Sequence, residues 1–254
     1  MRSRFLRLLL LVSMVSLPLA GQADELRVSF NTDKPPFAFT DQAGNITGIE
    51  VDVMREALKR AGHSIKAMSV SKARLLASLT HDEADVAASV QGNDGDNLFY
   101  TDNFVQYQNY AISRKTSKLV IEKIDDLDKY HFVIWQRGWA DLGSEFEKKY
   151  KPDSHGHFHN NYFQGGTQEA QTRIFFAKRV DVIVIDATIF QWYRSVLGKA
   201  GLAVDDDLVF HDIFTTTTGF AAAFKNKLLR DQFNTALKSM RADGSYQKIL
   251  SRYH

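Results

Sequence analysis

Val180-Asp181-Val182-Ile183-Val184-Ile185-Asp186 decides how this chain is read. Val180–Ile185 is its most apolar strand, and an acid, Asp186, sits immediately after it. Working back from that run, Thr167 is placed to cap a helix ending near Arg179, Gly138 turns into a helix through Tyr150, and Asp125-Asp126-Leu127 leads into the strand His131–Gln136. The same rhythm occurs earlier. Leu26–Phe30 alternates as a strand would, and the following Asp33-Lys34-Pro35-Pro36 ends it because proline donates no ladder hydrogen bond. From Glu50 to Ala61, Val51, Val53, Met54, Ala57, Leu58 and Ala61 recur at helical spacing, and Gly62 stops the helix in a left-handed cap. A strand near Ile65–Val70 follows, then a helix capped by Ser71 and running to Thr80. Ala84–Val90 is a small-residue apolar strand of the kind buried in a parallel sheet. Downstream, Lys227–Met240 carries Leu228, Leu229, Phe233, Leu237 and Met240 on one stripe. Strands alternating with helices of about 10 to 12 residues imply βαβ units and a mostly parallel sheet. Two passes of that rhythm imply two similar α/β lobes.

The start of the chain points to export. Arg2, Arg4 and Arg7 precede the apolar run Leu8–Leu17, which Pro18 breaks, and small residues follow to Ala23, the layout of a signal peptide cleaved near Ala23. The run is shorter than the roughly 20 apolar residues that a spanning helix needs. The chain has no cysteine. That removes a lipid-attachment thiol, disulfides and thiolate metal sites, so an ordinary core must hold the fold. Residues 1–23 carry three arginines and no acid, so their removal takes the formal charge from +2 to −1. Such a balance gives no reason to expect nucleic acid as partner.

Four blocks in order resemble the family 3 bacterial extracellular solute-binding proteins, the polar amino-acid receptors of ABC transporters. They are Pro35-Pro36-Phe37-Ala38-Phe39 with Gly44 and Gly48-Ile49-Glu50-Val51-Asp52-Val53-Met54; Ala84-Asp85-Val86 with Tyr100-Thr101-Asp102; Lys178-Arg179-Val180-Asp181 leading to Asp186; and Phe233-Asn234 through Asp243-Gly244-Ser245-Tyr246-Gln247-Lys248-Ile249. The resemblance covers nearly all of the chain after the leader. It implies the two-lobed α/β fold of type II periplasmic binding proteins, with two hinge-crossing strands at Asn109–Ser113 and Thr217–Phe224. Lobe 1 would be residues 24–109 and 221–254, and lobe 2 residues 110–220. A small ligand would lie between them, near strand ends and helix N-termini.

Relatives that bind α-amino acids clamp the ligand carboxylate with an arginine after the Ala-Asp-Val strand, since guanidinium and carboxylate match in geometry. Here Gln91-Gly92-Asn93-Asp94-Gly95-Asp96-Asn97-Leu98 has no basic residue. The family's Ser/Thr anchor in lobe 2 is replaced by Trp139 or Ala140. Asp186 stands where the family's carboxylate meets the ligand ammonium group; its structural alternative is a helix N-cap. Lys34 and Lys72 occupy positions where relatives stack an aromatic. Facing the cleft they would restore positive charge with the help of Arg74; facing solvent they would not. Phe37, Ser89 and Gln91 complete the expected ligand-binding set, with Trp135 and Trp139 as candidates for an apolar wall.

His155, His157 and His159 alternate, so an extended segment would project all three from one face toward a metal. Pro152-Asp153-Ser154 and Gly156 instead read as a loop of solvated histidines, and no cofactor or resident metal is expected. No nucleophile triad motif, phosphate loop or dinucleotide fingerprint occurs. A dehydratase-like enzyme on this fold would need a held carboxylate beside an acid or base, and the clamp is missing. The expected protein is therefore a monomeric periplasmic binding protein, not an enzyme. Its partner would be an inner-membrane ABC permease or a membrane sensor.

Overall fold

A computed structural model describes residues 25–91, 95–204, 207–214 and 217–253. The expected leader at 1–23 lies outside the described residues, as do Gly92, Asn93 and Asp94 of the loop that lacks the arginine.

The strand and helix rhythm resolves into two α/β bodies. In the first, Glu25–Phe30 lies parallel between Ser64–Ser69 and Val86–Val90, and Thr218–Phe224 joins antiparallel to Val86–Val90 and Phe99–Tyr100. The helix Ile49–Arg60 forms where its stripe predicts, burying Val53, Met54, Ala57 and Leu58, with Glu50 and Asp52 in its first turn and Lys59 and Arg60 in its last, as the helix dipole favours. It packs against Lys227–Ala242 and Ser245–Leu250. Gly62 is left-handed as expected, with φ 88°. Ser71 makes no side-chain cap; a short 3-10 turn, Lys72–Arg74, precedes Leu75–Thr80 instead.

In the second body Val182–Asp186 is central and wholly buried. Phe132–Trp135 runs parallel on one side of it and Asn109–Arg114 antiparallel on the other. Tyr162–Gly165 and Leu208–His211 form the edges. Alternate residues of the central strand serve two cores, Val182 and Val184 meeting Phe146, Tyr150 and Tyr162, and Ile183 and Ile185 meeting Phe175 and Phe190. Full burial of each such aliphatic side chain is worth about 1.5–3 kcal/mol. Thr167 accepts from the Ala170 N–H and caps Gln168–Phe176, as its position predicts.

Two crossings join the bodies, and the pairings move the first from its expected segment. Asn109–Arg114 belongs entirely to the second sheet, whereas Val105–Tyr107 pairs with Thr218–Phe220. The chain therefore changes sheets at Gln108. Extended character alone locates such a run without saying which sheet it joins. The bodies also touch through aromatic rings: Trp192 of the helix Ala187–Lys199 lies 5.3 Å from Phe39 and 6.5 Å from Tyr253, between ring centroids.

Candidate functional site

Asp186 ends the central strand of the second body and starts the helix Ala187–Lys199. Its Oδ1 accepts from the Ile189 N–H at 3.0 Å and its Oδ2 from the Gln108 N–H at 2.8 Å. The carboxylate is therefore an N-cap that also ties the strand end to the crossing. Burial, with 4% of the residue exposed, pushes its pKa up to about 6 against the opposing pull of the Ile189, Gln108 and Thr188 N–H groups. A buried acid in this balance remains chargeable near neutral pH.

On the first body, Lys34 and Phe37 meet around Tyr107. Lys34 Nζ lies 5.6 Å from the ring centroids of both Tyr107 and Phe220 and 3.2 Å from Glu50 Oε1. The Tyr107 hydroxyl donates to the same Oε1 at 3.0 Å, and the Phe37 ring packs edge-on to Tyr107 at 4.1 Å. Burial and the adjoining Glu50 carboxylate push the Tyr107 phenol far above its ordinary range. Lys34 thus faces inward, and its charge is met by an acid of its own chain. The sequence reading missed Glu50, Tyr107 and Phe220 as a group. One signal was available: Glu50 lies on the same helical stripe as Met54, Ala57 and Leu58, where a solvated acid does not belong.

Among the described residues no hydrogen bond, ion pair or ring contact joins the remaining expected residues to one another. Arg74 forms a two-pronged pair with Glu83, with N–O distances of 2.7 and 2.8 Å. Lys72 and Gln91 are exposed. Ser89 is buried in the left-handed region at φ 56°, with its hydroxyl lacking a partner among the described residues; the strand Val86–Val90 changes register beside it. Trp139 packs into the second body's core with Lys151 5.6 Å over its ring, and Trp135 donates from Nε1 to Asp141 at 3.0 Å. Beside the crossing a cavity of about 440 Å³ is bordered by Gln108, Glu122, Lys123, Asp212 and Thr217, none of them in the expected set.

His155 and His157 lie 6.1 Å apart, while His159 packs against Tyr150 at 5.5 Å, so the three rings diverge. The His155 and His157 N–H groups both donate to Asp153, as a turn would have it. Among the described residues no group of three His, Cys, Asp or Glu side chains is placed to hold a metal ion, and no helix is long and apolar enough to cross a membrane.

The family model for bacterial extracellular solute-binding proteins, family 3, matches residues 26–254. An arginine-binding periplasmic protein of Mannheimia haemolytica is 24% identical over 86% of this chain and 86% of its own. The histidine-binding periplasmic protein of Salmonella typhimurium is 22% identical over 98% and 94%. Among solved structures, an ancestral cationic amino acid solute-binding protein superposes with a TM-score of 0.71 at 18% identity, covering 90% of this chain and 95% of the other. The two bodies and their crossings are thus the two lobes of a type II periplasmic binding protein, and the chain belongs to the family 3 bacterial extracellular solute-binding proteins.

Proposed function

We propose that this chain is the periplasmic receptor of an ABC-type uptake system, closing its two lobes on a small polar solute and presenting it to an inner-membrane permease. The carrying observation is Asp186: a buried, chargeable acid at the end of a central strand, bonded to the residue where the chain changes lobes. Ligand bound there would act directly on the hinge and favour the closed population. Lys34, Ser89 and Gln91 from lobe 1 and Asp186 from lobe 2 are the ligand-facing residues in this reading, with the leader at 1–23 directing export. The protein acts as a monomer and catalyses nothing.

The named relatives bind arginine and histidine, yet this chain has no basic residue between Gln91 and Leu98, and its Lys34 and Arg74 are already paired. An α-amino acid held with its carboxylate against lobe 1, as relatives hold it, would bury that group without a charged partner at a cost of several kcal/mol, and each 1.4 kcal/mol costs about tenfold in affinity. Ordinary α-amino acids are therefore not the preferred cargo. Mass spectrometry of small molecules released by denaturing the purified protein tests both statements. A near-stoichiometric polar solute other than the twenty amino acids is expected. Release of arginine or histidine would overturn the ligand assignment, and titration of a panel of solutes without any binding would overturn capture itself.

A further inference from the structure

We propose that Arg137 anchors an anionic group of the ligand, so that the captured solute carries a carboxylate held from lobe 2. This rests on the capture reading above.

The inference follows from where the arginines of lobe 2 are engaged. Arg114 donates to the carbonyls of Phe175 and Val180, Arg173 pairs with Glu169, and Arg194 donates to the Val204 carbonyl. That leaves Arg137 and Arg179, and among the described residues neither guanidinium has a hydrogen bond or ion pair. Arg179 precedes the strand Val182–Asp186 and so lies at the N-terminal edge of the sheet. Arg137 follows Phe132–Trp135 and lies at the opposite edge. The two strands are parallel neighbours, Phe132 opposite Val182 and Val133 opposite Ile183. Carried to the strand end, the same register sets Trp135 opposite Ile185, so Arg137 follows at the edge where Asp186 ends its own strand. This edge adjoins the crossing, since Asp186 pairs with Asn109 and accepts from Gln108, and ligands of open α/β sheets bind outside the carboxyl ends of strands.

The backbone beneath the guanidinium is fixed. Arg137 holds φ 62° and ψ 15°, a left-handed conformation uncommon for a residue with a Cβ. Its N–H donates to Gln164 Oε1 at 3.2 Å, and next to it a Cβ on Gly138 would stand 2.5 Å from Ile134 Cγ1. Non-glycine residues kept in such conformations cluster at ligand clamps. Asp186 Oδ1 already accepts from the Ile189 N–H, and the Ala187 N–H donates to the Gln108 carbonyl, so those two donors of the neighbouring helix start are taken. The guanidinium offers a flat fork that matches carboxylate and is weakly hydrated for a cation. A carboxylate taken by Arg137 approaches from the lobe opposite to the missing clamp.

The test measures the solute co-purifying with wild type, R137G and R137K, followed by calorimetry of stripped protein against succinate, glutarate, benzoate, their methyl esters, and putrescine. Glycine adopts the left-handed conformation freely, so ligand-free R137G should melt no lower than wild type. The expected result is an acidic solute lost from R137G, with free-acid affinity falling at least about thirtyfold in R137G and methyl esters binding wild type equally poorly. R137K should fall between, because an ammonium cannot supply the fork. A released solute with no acidic group, binding of putrescine alone, or acid binding unchanged in R137G would overturn the inference and leave capture standing. Absence of both a released solute and any binding to wild type would overturn both.

Discussion

Each lobe buries an acid at the start of an α-helix, Glu50 and Asp186, and the two are satisfied in opposite ways. Asp186 in lobe 2 spends both oxygens on backbone N–H groups. Glu50 in lobe 1 lies inside the first turn rather than at its cap, so backbone donors do not reach it; Lys34 and Tyr107 share its Oε1, while Oε2 has no partner among the described residues. One acid is held by the fold's own geometry and remains chargeable by its surroundings. The other is held by side chains drawn from the short strand Asp33–Lys34 and from the crossing strand. The position of an acid within a helix start thus separates a hinge-linked cap from an internal ion pair, although both are buried carboxylates.

The comparison breaks most severely at Gly48. The helix bearing Glu50 docks its first N–H groups on the carbonyls of Pro36 and Phe37, at 2.9 and 2.8 Å. This is possible because Gly48 holds φ 125° and has no Cβ, which would stand 2.4 Å from the Phe37 oxygen. Gly48→Ala combines a disfavoured conformation with a backbone clash and should cost about 3 kcal/mol or more. At roughly 2–4 °C per kcal/mol for a chain of this size, calorimetry should show a fall of about 6–12 °C. A fall under 2 °C would mean that the dock is not rigid.

Asp186 sharpens the comparison through pH. Its native pKa, about 6, lies above the ordinary 3.8, so between pH 6 and 4 the folded protein holds a proton that the unfolded chain has released. Its contribution to stability therefore rises as pH falls through that window, by an amount of order 2–3 kcal/mol. Asp126 and Asp243, each held near 2 by neighbouring donors, act in the opposite direction. The measurement is thus the difference between wild type and Asp186→Asn, which keeps a capping oxygen without a titrating proton. Wild type should gain on the variant as pH drops from 7 to 4, and parallel profiles would refute the burial argument.

Lys34 should show the next largest effect. Lys34→Met keeps the stem and removes the charge, leaving Glu50 with only the Tyr107 hydroxyl. Breaking a buried pair by removing one partner costs about 3–5 kcal/mol. Lys34 keeps about a quarter of its side-chain surface in water, so about 2 kcal/mol is expected by denaturant unfolding. Adding Glu50→Gln should recover part of that loss, and additive effects in the cycle would show that the pair is not coupled.

These residues also show where sequence reading reaches and where it stops. The helix Ile49–Arg60, the strand Val182–Asp186 and the cap at Thr167 were legible because each rests on periodicity or local hydrogen bonding within a few positions. Lys34 was not, because its partner lies sixteen residues away and its two rings come from the two crossing strands. Asp186 was legible as a position and ambiguous as a role. The structure shows its capping role, so its replacement by alanine should lower stability by about 1 kcal/mol where ligand contact alone would leave stability unchanged. Arg137 carried no signal in sequence, since only the parallel pairing of its strand with Val182–Asp186 puts it at the same sheet edge as Asp186.

Arg74 should show the smallest effect and mark the boundary of the comparison. Its pair with Glu83 has good geometry, both carboxylate oxygens lying within 2.8 Å of one guanidinium nitrogen, yet the two side chains are 58% and 40% exposed. Water and salt screen such a pair, and holding two long side chains together costs entropy, so exposed pairs contribute about 0–1 kcal/mol. Arg74→Ala should therefore shift the melting temperature by less than about 3 °C, with the shift shrinking further in 0.5 M salt. Because its guanidinium is turned to Glu83, affinity for whatever solute the protein carries should change less than twofold. A tenfold loss of affinity would show that Arg74 leaves Glu83 when ligand arrives, and would move the search for the ligand's counter-charge back to lobe 1.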